Sequence, residues 1–65
     1  MPVIIVKARK GVLSTSEQKS KLIEGMATAF AEAVGDPVYR KRATVIIEEV
    51  PDENWGRGGI QIGHD

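Results

Sequence analysis

A chain of 65 residues has room for one domain, and a domain of that size buries only about 60% of the surface its unfolded chain exposes. Nine basic residues balance nine acidic ones, which argues against a nucleic-acid-binding arm. The chain has no cysteine and a single histidine, His64, near its end. Disulfide staples and thiolate metal sites are thereby excluded and a metal core is not expected, so oligomerisation is the remaining way to stabilise so small a scaffold.

The chain opens Met1-Pro2-Val3-Ile4-Ile5-Val6. A small residue after the initiator methionine usually allows that methionine to be trimmed, and Pro2 would then carry a free secondary amine. An α-amino group has an unperturbed pKa of about 7.7–8.0, and desolvation or a nearby cation lowers it. With Met1 still attached, the Pro2 nitrogen is a tertiary amide and no base. Taken alone, Pro2 reads more simply as a strand-edge residue. The apolar run is too short for a signal-peptide core, and nothing approaches the ~20 apolar residues of a membrane span. The expected compartment is the cytoplasm, with no membrane partner.

Residues 3–7 predict a strand, continuously apolar from Val3 to Val6, which implies burial on both faces. Gly11 breaks the pattern. Ser14 with Glu17 three residues later fits a capping box, and Ser16 competes as the cap. The helix then runs to about Val34, with Leu22, Met26, Phe30 and Val34 on one stripe flanked by Ile23, Ala27 and Ala31. Met26 and Phe30 read as core. Glu17 and Lys21 form a favourable i,i+4 pair on the opposite face. Gly35 is a natural residue to follow the helix, and Asp36-Pro37 stops it.

Residues 38–43 form a basic connector, 44–50 a second strand and 51–54 a turn. The glycine-rich stretch 55–62 suggests a short hairpin or an edge segment. Strand, helix, strand at this spacing is one βαβ unit with parallel strands and a right-handed crossover. The fold class is α/β (α+β), a single domain over residues 1–65. The helix can cover only one sheet face, yet Val3, Ile4, Ile5, Val6, Val45, Ile46 and Ile47 supply apolar side chains to both. The uncovered face calls for another subunit.

Several of these pieces together resemble a known family. Met-Pro leads into a strand, Ser16-Glu17-Gln18-Lys19 opens the helix, and Ile47-Glu48-Glu49-Val50-Pro51 ends the second strand. Glu53-Asn54-Trp55-Gly56-Arg57-Gly58-Gly59 comes next. The set is similar to the 4-oxalocrotonate tautomerase family across nearly the whole chain. The resemblance implies a β-α-β subunit that assembles as dimers, often as trimers of dimers. It implies a cofactor-independent isomerase that interconverts enol and keto forms of a small, carboxylated substrate, with the amino-terminal proline, Pro2, as general base. It also makes Trp55 the aromatic wall of the site. Such chemistry needs a neutral base that becomes an acid in the second half-step, which works best with a pKa near the operating pH.

The sequence departs from the family pattern at two places. Members carry an arginine after the glycine that follows the first strand, and another just before the apolar triplet of the second. Here those places hold Val12-Leu13 and Thr44. Arg42 lies two residues before Thr44 and shares its strand face if the strand reaches that far, and Arg57 sits beside Trp55 among glycines. These two are the candidate substrate-binding cations; Arg9 and Arg40 read as surface or intersubunit charges. Two alternatives stand beside the tautomerase reading. One is a non-catalytic or site-completing subunit of a hetero-oligomer, which Trp55 and Arg57 would suit. The other is a relative with hydrolytic dehalogenase activity, drawing on Glu48, Glu49 or Glu53.

Overall fold

The computed structural model describes residues 2–61; Met1, Ile62 of the expected hairpin and His64 lie outside the described residues. The chain forms strand β1 (Val3–Arg9), helix α1 (Ser16–Val34), a short helix α2 (Tyr39–Arg42) and strand β2 (Thr44–Val50). A 3-10 turn (Asp52–Asn54) then leads to two-residue strands β3 (Gly56–Arg57) and β4 (Ile60–Gln61). β1 and β2 pair in parallel, with Val3 opposite Thr44 and Arg9 opposite Val50. β3 and β4 make a separate antiparallel hairpin. The expected β-α-β unit with a short hairpin is therefore present.

Local chemistry moves three boundaries. β1 runs two residues beyond Lys7, because Arg9 stays in register against Val50. The helix is capped by Thr15, not by Ser14 or Ser16: the Thr15 hydroxyl accepts from the Gln18 N–H, and the Gln18 carboxamide oxygen accepts from the Thr15 and Ser14 N–H groups. That is a capping box built on Thr-x-x-Gln. The connector at 38–43 is largely helical. The Asp36 carboxylate accepts from the Val38 N–H at 3.0 Å, Pro37 presets the turn, and the Tyr39 ring packs edge-on against Phe30 at 6.0 Å. Gly35 closes α1 at φ +82°, the left-handed geometry glycine adopts freely.

The core lies between α1 and one face of the sheet. Ala27 and Ala31 are the buried apolar residues among those described, and Leu22, Met26 and Phe30 are half-buried beside them. Ile23 and Val34, expected on the buried stripe, stay exposed. Two strands about 5 Å apart cannot underlie the full ~10 Å width of a helix. On the opposite face Val3, Ile5 and Ile46 are bare, at 55%, 52% and 43% exposure. The expectation of strands buried on both faces therefore fails within one chain.

Whole-molecule dimensions agree. The Cα radius of gyration is 14.7 Å, against about 11 Å for a compact domain of this length. The chain exposes 5024 Å², where a compact 7.1 kDa monomer exposes about 4,100 Å². The excess is slightly more than the ~800 Å² that each partner buries in a standard interface.

Candidate active site

Pro2 stands at the entrance to β1, half-buried, and its carbonyl accepts the Thr44 N–H at 2.9 Å. That bond continues the parallel pairing by one residue and fixes the proline against the start of β2. Arg42 belongs to the same end of the sheet, two residues before Thr44. It closes α2, and Ala43 separates it from the strand. The reading that Arg42 shares a strand face with Thr44 is therefore corrected: alternation along a strand does not govern a residue in a helical turn.

Trp55 and Arg57 lie beyond the other end. Trp55 is half-buried and donates its indole N–H to the Val50 carbonyl at 3.0 Å. The same carbonyl accepts the Lys10 N–H at 2.9 Å. With its only side-chain donor engaged, Trp55 has an aromatic face left to offer a ligand. Arg57 is exposed in β3, where its partner across the hairpin is Ile60. Gly58 and Gly59 turn the hairpin at φ +62° and +84°, which a side chain at either place would strain. Trp55 and Arg57 line one open concavity of about 280 Å³ on this hairpin.

The four candidates thus fall into two pairs. β2 advances about 20 Å from Thr44 to Val50, at ~3.3 Å per residue. Pro2 and Arg42 sit at one end of that span, Trp55 and Arg57 past the other. No single chain closes them around one small molecule.

The arginines divide along a second line. Arg9 makes a two-pronged ion pair with Asp52. Arg40 donates to the Thr28 hydroxyl at 3.2 Å and lies 3.6 Å from Glu24. Arg42 and Arg57 have no ion-pair or hydrogen-bond partner among the described residues. The two arginines expected to be surface charges are satisfied inside the chain, and the two candidate cations are available.

Sequence reasoning missed two side-chain clusters at the Trp55 end, the Arg9–Asp52 pair and Glu49 with Lys19 at 2.5 Å. The Lys19 hydrogen bond holds the Glu49 carboxyl below its ordinary range, helped by the Lys19 charge and the Gly11 N–H and opposed by partial burial. The signal for the first was parallel register, which places Asp52 just past the partner of Arg9. Among the described residues no cluster of His, Asp or Glu could hold a metal ion, and no helix is long and apolar enough to cross a membrane.

Comparison with known proteins decides the family. A family model for tautomerase enzymes matches residues 2–65. The chain belongs to the tautomerase family. A 2-hydroxymuconate tautomerase of Pseudomonas putida is 46% identical over 46 residues, 71% of this chain and 70% of that one. A solved 4-oxalocrotonate tautomerase isozyme of Methylibium petroleiphilum superposes with a TM-score of 0.73 at 40% identity, covering 92% and 90% of the two chains. A heterohexamer 4-oxalocrotonate tautomerase of Chloroflexus aurantiacus J-10-fl gives 0.77 at 30% identity, covering 98% and 97%. The tautomerase described here is thus an isomerase with the β-α-β fold of the 4-oxalocrotonate tautomerase group.

Proposed function

We propose that this tautomerase interconverts the enol and keto forms of a small carboxylated substrate, with Pro2 as the base once Met1 is removed. The observation that carries the reading is the anchored Pro2. Its carbonyl is bonded to Thr44, so the ring nitrogen is held at the head of a paired strand.

In the first half-step the neutral proline nitrogen takes the enol hydroxyl proton, and the electron pair moves through the double bond toward carbon. In the second, the prolinium returns its proton to that carbon and leaves the ketone. Charge builds on the oxygen between the steps. An arginine fork suits both that oxygen and a carboxylate, and such a donor is worth about 3–4 kcal/mol in the transition state.

The site is assembled from two chains. The Pro2 end of one chain, with Arg42, meets the Trp55 end of a second, with Arg57. The arrangement is supported by the ~20 Å between the ends and by the bare Val3, Ile5 and Ile46 face. The second chain would exclude water from the half-buried Pro2 and lower its pKa toward neutrality. A homohexamer is the assembly we favour. Arg57 is the first choice for the carboxylate, because it shares a concavity with Trp55; Arg42 is the second.

Relatives named 2-hydroxymuconate tautomerase make 2-hydroxymuconate one test substrate, and phenylenolpyruvate is the other. The experiment pairs the N-terminal mass with turnover before and after acetylation of the Pro2 amine. Turnover should vanish on acetylation, and unchanged turnover would rule Pro2 out. A second reading is favoured by the heterohexameric neighbour: this chain would complete a sister subunit's site with Trp55 and Arg57. A preparation of this chain alone that assembles and turns over substrate would exclude it.

A further inference from the structure

Trp55 is tied to the Val50 carbonyl through its indole N–H, but the strands β3 and β4 that carry Arg57 have little packing of their own. All four residues of β3 and β4 are exposed. The Gln61 side-chain amide donates to the Glu53 carbonyl at 2.8 Å, and Glu53 belongs to the 3-10 turn, so this bond ties the hairpin to that turn. What holds the turn therefore bears on the orientation of the hairpin.

The turn is gripped from β1. Arg9, the last residue of that strand, donates Nε to Asp52 Oδ1 at 2.5 Å and Nη2 to Asp52 Oδ2 at 2.7 Å. This is the fork-to-fork pairing of guanidinium and carboxylate, which fixes direction as well as distance. The Asp52 carbonyl accepts the Trp55 N–H at 3.1 Å. A continuous path thus runs from the paired strand through Arg9 and Asp52 to Trp55, with the indole N–H closing back on Val50.

We propose that Arg9 and Asp52 are positioning residues, a clamp that aims Trp55 and the Arg57 hairpin at the site. The kinetic part rests on the tautomerase reading above. Both side chains are about half exposed, at 53% and 40%, and ion pairs so exposed contribute little to stability. The clamp acts through geometry.

Trp55 is the only tryptophan in the chain, so its fluorescence reports the clamp directly. The variants are Arg9→Met, Asp52→Asn, their double and Arg9→Lys, which keeps the charge but loses the fork. Each is measured for assembly, thermal midpoint, acrylamide quenching of Trp55, and kcat and KM on phenylenolpyruvate. With assembly and midpoint near those of the parent, quenching should rise in all four. KM should rise and kcat/KM fall roughly ten- to hundredfold, as for a site group moved by about 1 Å. The double should lose less than the sum of the two single variants, because both break the same fork. Parental quenching and KM in Arg9→Met and Asp52→Asn would overturn the proposal, as would additive losses. If the parent turns over no enol acid, the tautomerase reading fails, while quenching still decides the clamp.

Discussion

Aspartate in place of Ile46 strikes the bare sheet face near its middle. Ile46 is 43% exposed and pairs with Ile5, itself 52% exposed. Full burial of an isoleucine contributes about 1.5–3 kcal/mol, so covering the exposed remainder of Ile46 contributes about 1 kcal/mol. An aspartate forfeits that gain and adds the cost of dehydrating a carboxylate, several kcal/mol even after relaxation. A combined loss of ~5 kcal/mol weakens association by roughly three orders of magnitude or more. Inside the chain the change is mild, since the side chain leaves the α1-covered face untouched. Sedimentation velocity and turnover should be measured on the same samples across a dilution series. Ile46→Asp should sediment as a small species at concentrations where the parent is assembled, and activity should disappear with the assembly. Dissociated protein that retains parental kcat/KM would refute the two-chain site, because one chain would then hold everything the reaction needs.

The same geometry makes three other outcomes expected. Arg57→Ala should lower kcat/KM on a carboxylated enol by roughly a hundredfold, given the worth of such a donor, while leaving assembly intact. If Arg57→Ala and Arg42→Ala both match the parent in steady-state kinetics, the carboxylate assignment is wrong. Pro2→Ala leaves a primary amine and should keep partial activity, whereas acetylated protein should keep none; equal turnover by both would remove the base from the mechanism. Glu49 titrates lower in the fold than in the unfolded chain because of Lys19. Its contribution to stability is therefore present above the unfolded-state pKa and lost as pH falls through the lowered folded value. The gap in thermal midpoint between parent and Glu49→Gln should be widest near neutrality and shrink in acid, and a gap independent of pH would contradict the assignment.

The fold was legible because its determinants are local. Val3 to Val6 and Val45 to Ile47 are apolar runs separated by a helix with a four-residue stripe, and Gly35 with Asp36-Pro37 punctuates its end. The errors arose where two local signals competed. Ser14 and Ser16 both qualify as caps, and Gln18, whose carboxamide reaches back, decides for Thr15 between them. The basic run 40–42 gives no helix signal of its own; the turn forms because Asp36 and Phe30 hold its start.

The site was legible only as a set of separate residues. Pro2, Trp55, Arg57 and Arg42 can each be picked out by chemistry, but their grouping depends on the strand direction. Parallel β1 and β2 put both strand beginnings at one end and both strand ends at the other. Segments leading into β1 and β2 therefore gather near Pro2, and segments leaving them gather near Trp55. Periodicity within one chain cannot report a site that, on our proposal, a second chain closes. The indirect sign was the uncompensated face, Val3, Ile5 and Ile46, because a sheet with no partner for that face is an unfinished unit. The same logic explains the division among the arginines. Arg9 and Arg40 lie where their own chain supplies a carboxylate. Arg42 and Arg57 lie at opposite extremities, where a neighbouring chain or a substrate is left to supply one. Strand direction places one paired and one unpaired arginine at each end, Arg40 with Arg42 and Arg9 with Arg57, so it is the carboxylates at hand, Glu24 and Asp52, that separate them. Ranking them by proximity to Trp55 alone overlooks Arg9, whose grip on Asp52 sets where Trp55 points.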